Sequence, residues 1–193
     1  MEMNNFLDIE LQKAKNVFAH SNLYKHIKIS NFNCKYLPDK KTDGRNLPKI
    51  LLEKFFYQLH SEDHQVLINE RPCLYVFELV NFSDRERVWK TFNELKNTQI
   101  DRTLPATVKN LKENTKILYV GKAERNVGGR IVTHMGYYQK KMNHGLQLAF
   151  WARKLEILIN VHVFRFEPDM KPYLDSFEKL LAKELQPIIG LHK

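Results

Sequence analysis

Tyr75, Tyr119, Arg130, His134 and Glu178 follow one another in that order in a chain of 193 residues, and their types supply the parts for chemistry on a phosphate. A guanidinium forks onto phosphate oxygens and stays charged at any working pH. An imidazole can trade protons near neutrality. A carboxylate beside an apolar stripe needs a partner or a metal. No other stretch of the sequence brings a phenol, a guanidinium, an imidazole and a carboxylate together in this way.

The spacing predicts how these groups are presented. Leu74-Tyr75-Val76-Phe77 and Ile117-Leu118-Tyr119-Val120 read as strands. Side chains alternate faces along a strand, so Leu74, Val76, Leu118 and Val120 are expected to enter the core and Tyr75 and Tyr119 to point together to the other face. Arg130 and His134 stand four apart, one above the other if residues 127 to 136 are helical. Near the end of the chain, Leu174, Phe177, Leu181, Leu185 and Ile188 form an apolar stripe bordered by both Glu178 and Glu184, and periodicity does not choose between the two. Each feature has a plainer structural counterpart: strand aromatics, a solvated helix face, a carboxylate paired with a base.

The elements that must hold these groups run strand, helix, strand, two helices, strand, helix from residue 72 onward. Further helices are expected at about 84 to 96, 145 to 156 and 171 to 186, and a strand from Ile157 to Phe166. Ahead of them, Phe6 to Phe18 and Ile50 to Leu59 show helical spacing, separated by a loop-like segment at 33 to 48. The length suits one domain with elaborations. No apolar run approaches a membrane span of roughly 18 residues. Cys34 and Cys73 form no paired metal motif and no signal-like segment opens the sequence, so reduced, buried thiols in a cytoplasmic protein are expected.

The chain has 31 Lys and Arg against 22 Asp and Glu, a net charge of +9, and most of the excess falls in residues 72–193. Between Lys122 and Lys154 stand Lys122, Arg125, Arg130, Lys140, Lys141, Arg153 and Lys154 against Glu124 alone, interleaved with Tyr137, Tyr138, Phe150 and Trp151. Bases with interspersed aromatics suit phosphate neutralisation with stacking, and Arg125, Lys140, Lys141, Arg153 and Lys154 are the candidate nucleic-acid contacts. A solvated helix face with core aromatics gives the same pattern.

The order of these motifs resembles the GIY-YIG nuclease superfamily. Cys73-Leu74-Tyr75 corresponds to its first motif and Tyr119-Val120-Gly121, followed by Lys122, to its second. Its helix arginine and the histidine one turn on fall on Arg130 and His134. Its metal-binding glutamate lies nine residues before a proline, as Glu178 does before Pro187, which prefers Glu178 over Glu184. Cys73 replaces the usual Gly, and Gly190 stands where many members have Asn.

The resemblance implies an α+β fold with a small three-stranded antiparallel sheet flanked by helices in residues 72–193, a helical extension over 1–71, and an insertion at 81–115 between the first two strands. It implies a metal-dependent endonuclease acting on double-stranded DNA, closest in character to a type II restriction enzyme and working as a homodimer, with Mg²⁺ or Mn²⁺ as cofactor. Tyr75 is then the general base and Arg130 the phosphate clamp. Glu178 is the metal ligand, Tyr119 orients the nucleophile or phosphate, and His134 bonds Tyr75 or shuttles a proton. Lys122 is a candidate for the positive charge that a phenol base needs. A phage or repair nuclease and a non-catalytic nucleic-acid-binding module on the same fold are the alternatives. A rival nuclease pattern, Asp84 with Glu94-Leu95-Lys96, requires a strand where the spacing of Val88, Trp89 and Phe92 predicts a helix.

Overall fold

Period-two apolar alternation gives three of the four strands, and a fourth comes from the segment before them. The computed structural model describes residues 24–37, 71–97, 103–137 and 145–190. Among these, β1 (Tyr24–Asn33), β2 (Cys73–Leu79), β3 (Ile117–Ala123) and β4 (Leu158–Phe166) form one antiparallel sheet in the order β1-β4-β2-β3. The helices are α1 (Asp84–Lys96), α2 (Val127–Met135), α3 (Leu148–Leu155) and α4 (Leu174–Leu185), the last entered through a short 3-10 helix at Pro168–Tyr173.

The sheet thus has four strands where three are expected, and its extra strand lies within the N-terminal 71 residues. Among the described residues β1 pairs with β4 on one side only, with Ile27 opposite Val163 and Ile29 opposite Val161. Its pairing shifts between Ile29 and Phe32, where Asn31 takes a left-handed φ of 53° and its N–H donates to Asn160 Oδ1 at 3.1 Å. An edge strand interrupted by a bulge buries few side chains, so its apolar alternation is short. The helices expected at Phe6 to Phe18 and Ile50 to Leu59 lie outside the described residues.

Both faces of the sheet are covered, which changes the expected roles of the faces. Tyr75, Phe77 and Leu79 of β2 join Val161, Val163 and Ile159 of β4 in the larger core, under α1, α2 and α3. Leu74, Val76 and Val120 face the other way, onto Leu174, Phe177, Leu181 and Ala182 of α4. The tyrosine face is therefore the main core and not its reverse. Leu118 departs from the expected alternation. Phe77 pairs with Tyr119 but Glu78 with Ile117, so Leu118 is the extra residue of a bulge and its side chain joins the tyrosine-side core.

The described residues between β2 and β3 are built into that core. Val88 and Phe92 of α1 are fully buried, and the Phe92 ring meets Trp151 of α3 edge-on at 5.5 Å. Because Asp84, Glu94 and Lys96 lie within this helix, the rival strand-borne pattern is excluded. The returning segment is tied down by Trp89 Nε1 donating to the Val108 carbonyl at 3.1 Å.

After α4 the chain turns at Gln186 and Pro187 and runs as an added edge. Ile188 and Ile189 donate to the Ile117 and Leu118 carbonyls at 2.9 and 3.0 Å, and Gly190 donates to the Ala106 carbonyl at 2.7 Å. Gly190 has φ of 102°, a conformation that favours glycine, so the residue there serves a backbone turn. Among the described residues no helix is long and apolar enough to cross a membrane. Cys34 and Cys73 are both buried free thiols, and burial pushes the Cys73 thiol up to about 12.

Candidate active site

The site forms where α2 crosses the tyrosine face of β2 and β3. Asn126 starts α2 by accepting the Gly129 N–H on Oδ1 at 2.8 Å. One helical turn then sets Arg130 and His134 on a single face, as the spacing predicts. The Tyr75 hydroxyl lies 2.9 Å from His134 Nε2, and both side chains are fully buried. The His134 ring packs against three aromatic rings, Tyr119 at 4.6 Å, Phe77 at 5.3 Å and Tyr75 at 5.4 Å.

Tyr75 and Tyr119 do share a face, with ring centroids 6.3 Å apart and planes 22° from parallel. Their room comes from Gly121, which pairs with Tyr75 across the strands. A β-carbon on Gly121 would sit 2.5 Å from the Tyr75 hydroxyl and 2.7 Å from Tyr119 Cε1, so no larger residue fits without moving both rings.

Charge in the site is unevenly placed. Burial pushes the Tyr75 phenol well above its ordinary value, and the Tyr119 and Glu178 charges add to this, while Arg130 opposes it by charge and by a hydrogen bond. Burial, aided by Arg130, brings His134 down to about 3, so the imidazole is neutral. Burial also raises Tyr119. Glu178 is half-buried and its carboxyl is raised by burial, against the pull of Lys122 and Arg130. Arg130 loses from burial but gains more from Tyr75, Tyr119 and Glu178, so its charge is secure.

Lys122 is placed differently from the sequence expectation. It pairs with Leu74 and so projects from the face opposite Tyr75, where it forms an ion pair with Asp175 on α4. Arg130, not Lys122, is the cation on the Tyr75 phenol. Lys122 acts instead on Glu178, one of the charges that raises its own proton affinity.

Of the two glutamates bordering the α4 stripe, Glu178 is half-buried and feels Lys122 and Arg130, while Glu184 is exposed. Among the described residues no three His, Cys, Asp or Glu side chains gather to enclose a metal. Mg²⁺ keeps several waters and takes only one or two protein carboxylates alongside substrate oxygens. Glu178 supplies one carboxylate of such a set, while Asp175, one turn earlier on α4, is ion-paired with Lys122 and Lys179.

Arg125 and Lys154 are exposed and Arg153 is half-buried, Arg125 just ahead of α2 and the other two in the last turn of α3. Lys140 and Lys141 lie outside the described residues. Two further residues contribute: Gly121, the last residue of the Tyr119-Val120-Gly121 motif, acts by lacking a side chain, and Leu146, which has no sequence signal, donates its main-chain N–H to His134 Nδ1 at 3.2 Å. In comparisons with protein-family models, curated proteins and solved structures, the chain matches none of them.

Proposed function

We propose that this chain is a metal-dependent endonuclease of the GIY-YIG type that hydrolyses phosphodiester bonds in double-stranded DNA. The observation that carries the reading is the cluster on one phenol: Tyr75 held by His134 at 2.9 Å and by the Arg130 guanidinium, with the Glu178 carboxylate near enough to perturb all but the imidazole. A core packing cluster needs neither a secured guanidinium nor a half-buried carboxylate. Its resemblance to restriction-enzyme members supports a type II restriction endonuclease acting as a homodimer.

In this mechanism a water attacks the phosphorus in line with the leaving oxygen. Tyr75 takes the water's proton as general base, in its phenolate form; burial opposes that form and the Arg130 charge offsets part of the opposition. Arg130 also clamps the scissile phosphate and stabilises charge in the transition state, a role commonly worth several kcal/mol. Tyr119 orients the phosphate or nucleophile through its hydroxyl. Glu178 would hold Mg²⁺ or Mn²⁺, which when bound supplies Lewis-acid polarisation of the phosphate and offsets a negative charge that holds the Tyr75 proton.

A second reading is favoured by one observation, the full burial of Tyr75 together with its raised proton affinity. In it Tyr75 and His134 are a structural pair in a non-catalytic nucleic-acid-binding module. Plasmid DNA incubated in Mg²⁺ and in EDTA separates the two. The nuclease reading expects Mg²⁺-dependent cleavage by the wild type that is lost in Tyr75→Phe, Arg130→Ala and Glu178→Ala. Unchanged cleavage in all three variants removes the site, and salt-dependent DNA binding with no cleavage in any divalent metal establishes the second reading.

A further inference from the structure

The His134 imidazole has both of its nitrogens engaged. Nε2 faces the Tyr75 hydroxyl at 2.9 Å, and Nδ1 faces the main-chain N–H of Leu146 at 3.2 Å. A backbone N–H can only donate, so Nδ1 must be the bare nitrogen and Nε2 must carry the proton. An imidazolium would point a second N–H at the Leu146 N–H, donor against donor.

The Leu146 peptide is held from both sides. Its carbonyl accepts from Trp151 Nε1 at 2.8 Å, and its side chain is fully buried. Next to it, Gly145 lies directly on α2: a β-carbon there would be 2.6 Å from the Thr133 carbonyl oxygen, which is main chain and has little room to move. Only glycine lets this segment come close enough for Leu146 to reach the ring one residue further along α2.

We propose that Gly145 and Leu146 are positioning residues that fix His134 in the Nε2–H tautomer, making it a standing hydrogen-bond donor to Tyr75 and not a proton carrier. With His134 donating, the Tyr75 oxygen accepts from α2 and its own hydrogen is turned away from the imidazole, while the Arg130 charge on the same helix favours the phenolate. Its lone pairs are thereby arranged as a developing phenolate requires. This consequence rests on the nuclease reading; the tautomer assignment does not.

The test is a nitrogen–proton correlation spectrum of the full chain labelled with ¹⁵N-histidine, the His134 signals being those absent from His134→Gln. A bare Nδ1 and a protonated Nε2 are expected from about pH 8 to about pH 5, the range in which an ordinary histidine titrates. The same pattern is expected in Tyr75→Phe, because the Leu146 amide and not the phenol sets it. An Nδ1–H signal in either protein, or uptake of a proton by His134 in that range, overturns the proposal. Gly145→Ala is expected to mix the tautomers and to lower kcat about 10-fold at unchanged KM. Mixed tautomers with wild-type kcat would remove the positioning role. A wild type with the expected spectrum and no cleavage would overturn the nuclease reading and leave the tautomer assignment standing.

Discussion

Tyr75 and Gly121 stand opposite each other across β2 and β3, and the phenol occupies the space that a side chain on Gly121 would fill. Strand pairing thus does more than carry the tyrosine. It reserves the volume in which Tyr75 and Tyr119 lie side by side against His134. Gly121→Ala should therefore overpack this point, lowering stability by about 1–3 kcal/mol in urea titration. Cleavage should fall further than in Tyr119→Phe, since both rings move. A variant with wild-type stability and rate would show that the contact is relieved without cost.

Tyr75→Phe separates chemistry from packing. Loss of a general base is expected to reduce kcat by about 10²–10⁴. The ring survives, but the buried His134 donor loses its acceptor, so a destabilisation of about 1–3 kcal/mol should accompany the kinetic loss. Single-turnover cleavage and chemical denaturation measured on the same preparation check both. Full activity in this variant would rule out Tyr75 as the base.

Glu178 gives a pH dependence whose sign is fixed by its raised proton affinity. Because its folded-state pKa lies above the ordinary 4.5, it takes up a proton earlier than a free carboxylate as pH falls, and metal-dependent cleavage should fail from that side. The same shift means that its contribution to stability is present at low pH and lost as pH rises through the folded value. Glu178→Gln should then be at least as stable as the wild type at neutral pH while losing Mg²⁺-dependent cleavage. A marked loss of stability at neutral pH would contradict this.

Glu78, on the face of β2 opposite Tyr75, has the reverse sign. Burial opposes its charge, but Asn160 at 2.8 Å, Lys116 at 2.9 Å and His162 at 3.1 Å outweigh it and hold the carboxyl at about 2. Its stabilisation is complete above the ordinary value of 4.5 and disappears as pH falls toward 2. For a group partly open to solvent this amounts to about 1–2 kcal/mol. Denaturation followed between those limits should show a steeper acid loss in the wild type than in Glu78→Gln; parallel curves would refute it.

Phe92→Ala tests whether α1, between β2 and β3, is structural. Its ring is fully buried against Trp151, so truncation should cost about 3–5 kcal/mol. A much smaller loss, read by thermal or urea unfolding, would detach α1 from the core.

The sequence by itself determined the elements whose pattern is local. β2, β3 and β4 announce themselves by alternation, α1 and α2 by helical spacing, and Arg130 and His134 share a face because a helix turn leaves them no alternative. Shorter-range departures are also local in cause: α3 begins only at Leu148 because Gln147 turns left-handed, and α4 begins at Leu174, after Pro172 in the preceding 3-10 helix.

The tertiary structure alone decided the rest, because those features depend on residues far apart in the chain. β1 becomes a strand only by pairing with β4, and the Leu118 bulge exists only relative to β2. The nine-residue step to Pro187 already prefers Glu178 over Glu184, but its half-buried place near Lys122 and Arg130 depends on how α4 packs. Lys122 cannot serve Tyr75 because its neighbour Gly121 is the residue opposite that tyrosine, and alternation sends the lysine to the other face. The contacts around His134 come from β2, β3 and the Leu146 backbone, and a main-chain amide leaves no trace in side-chain pattern.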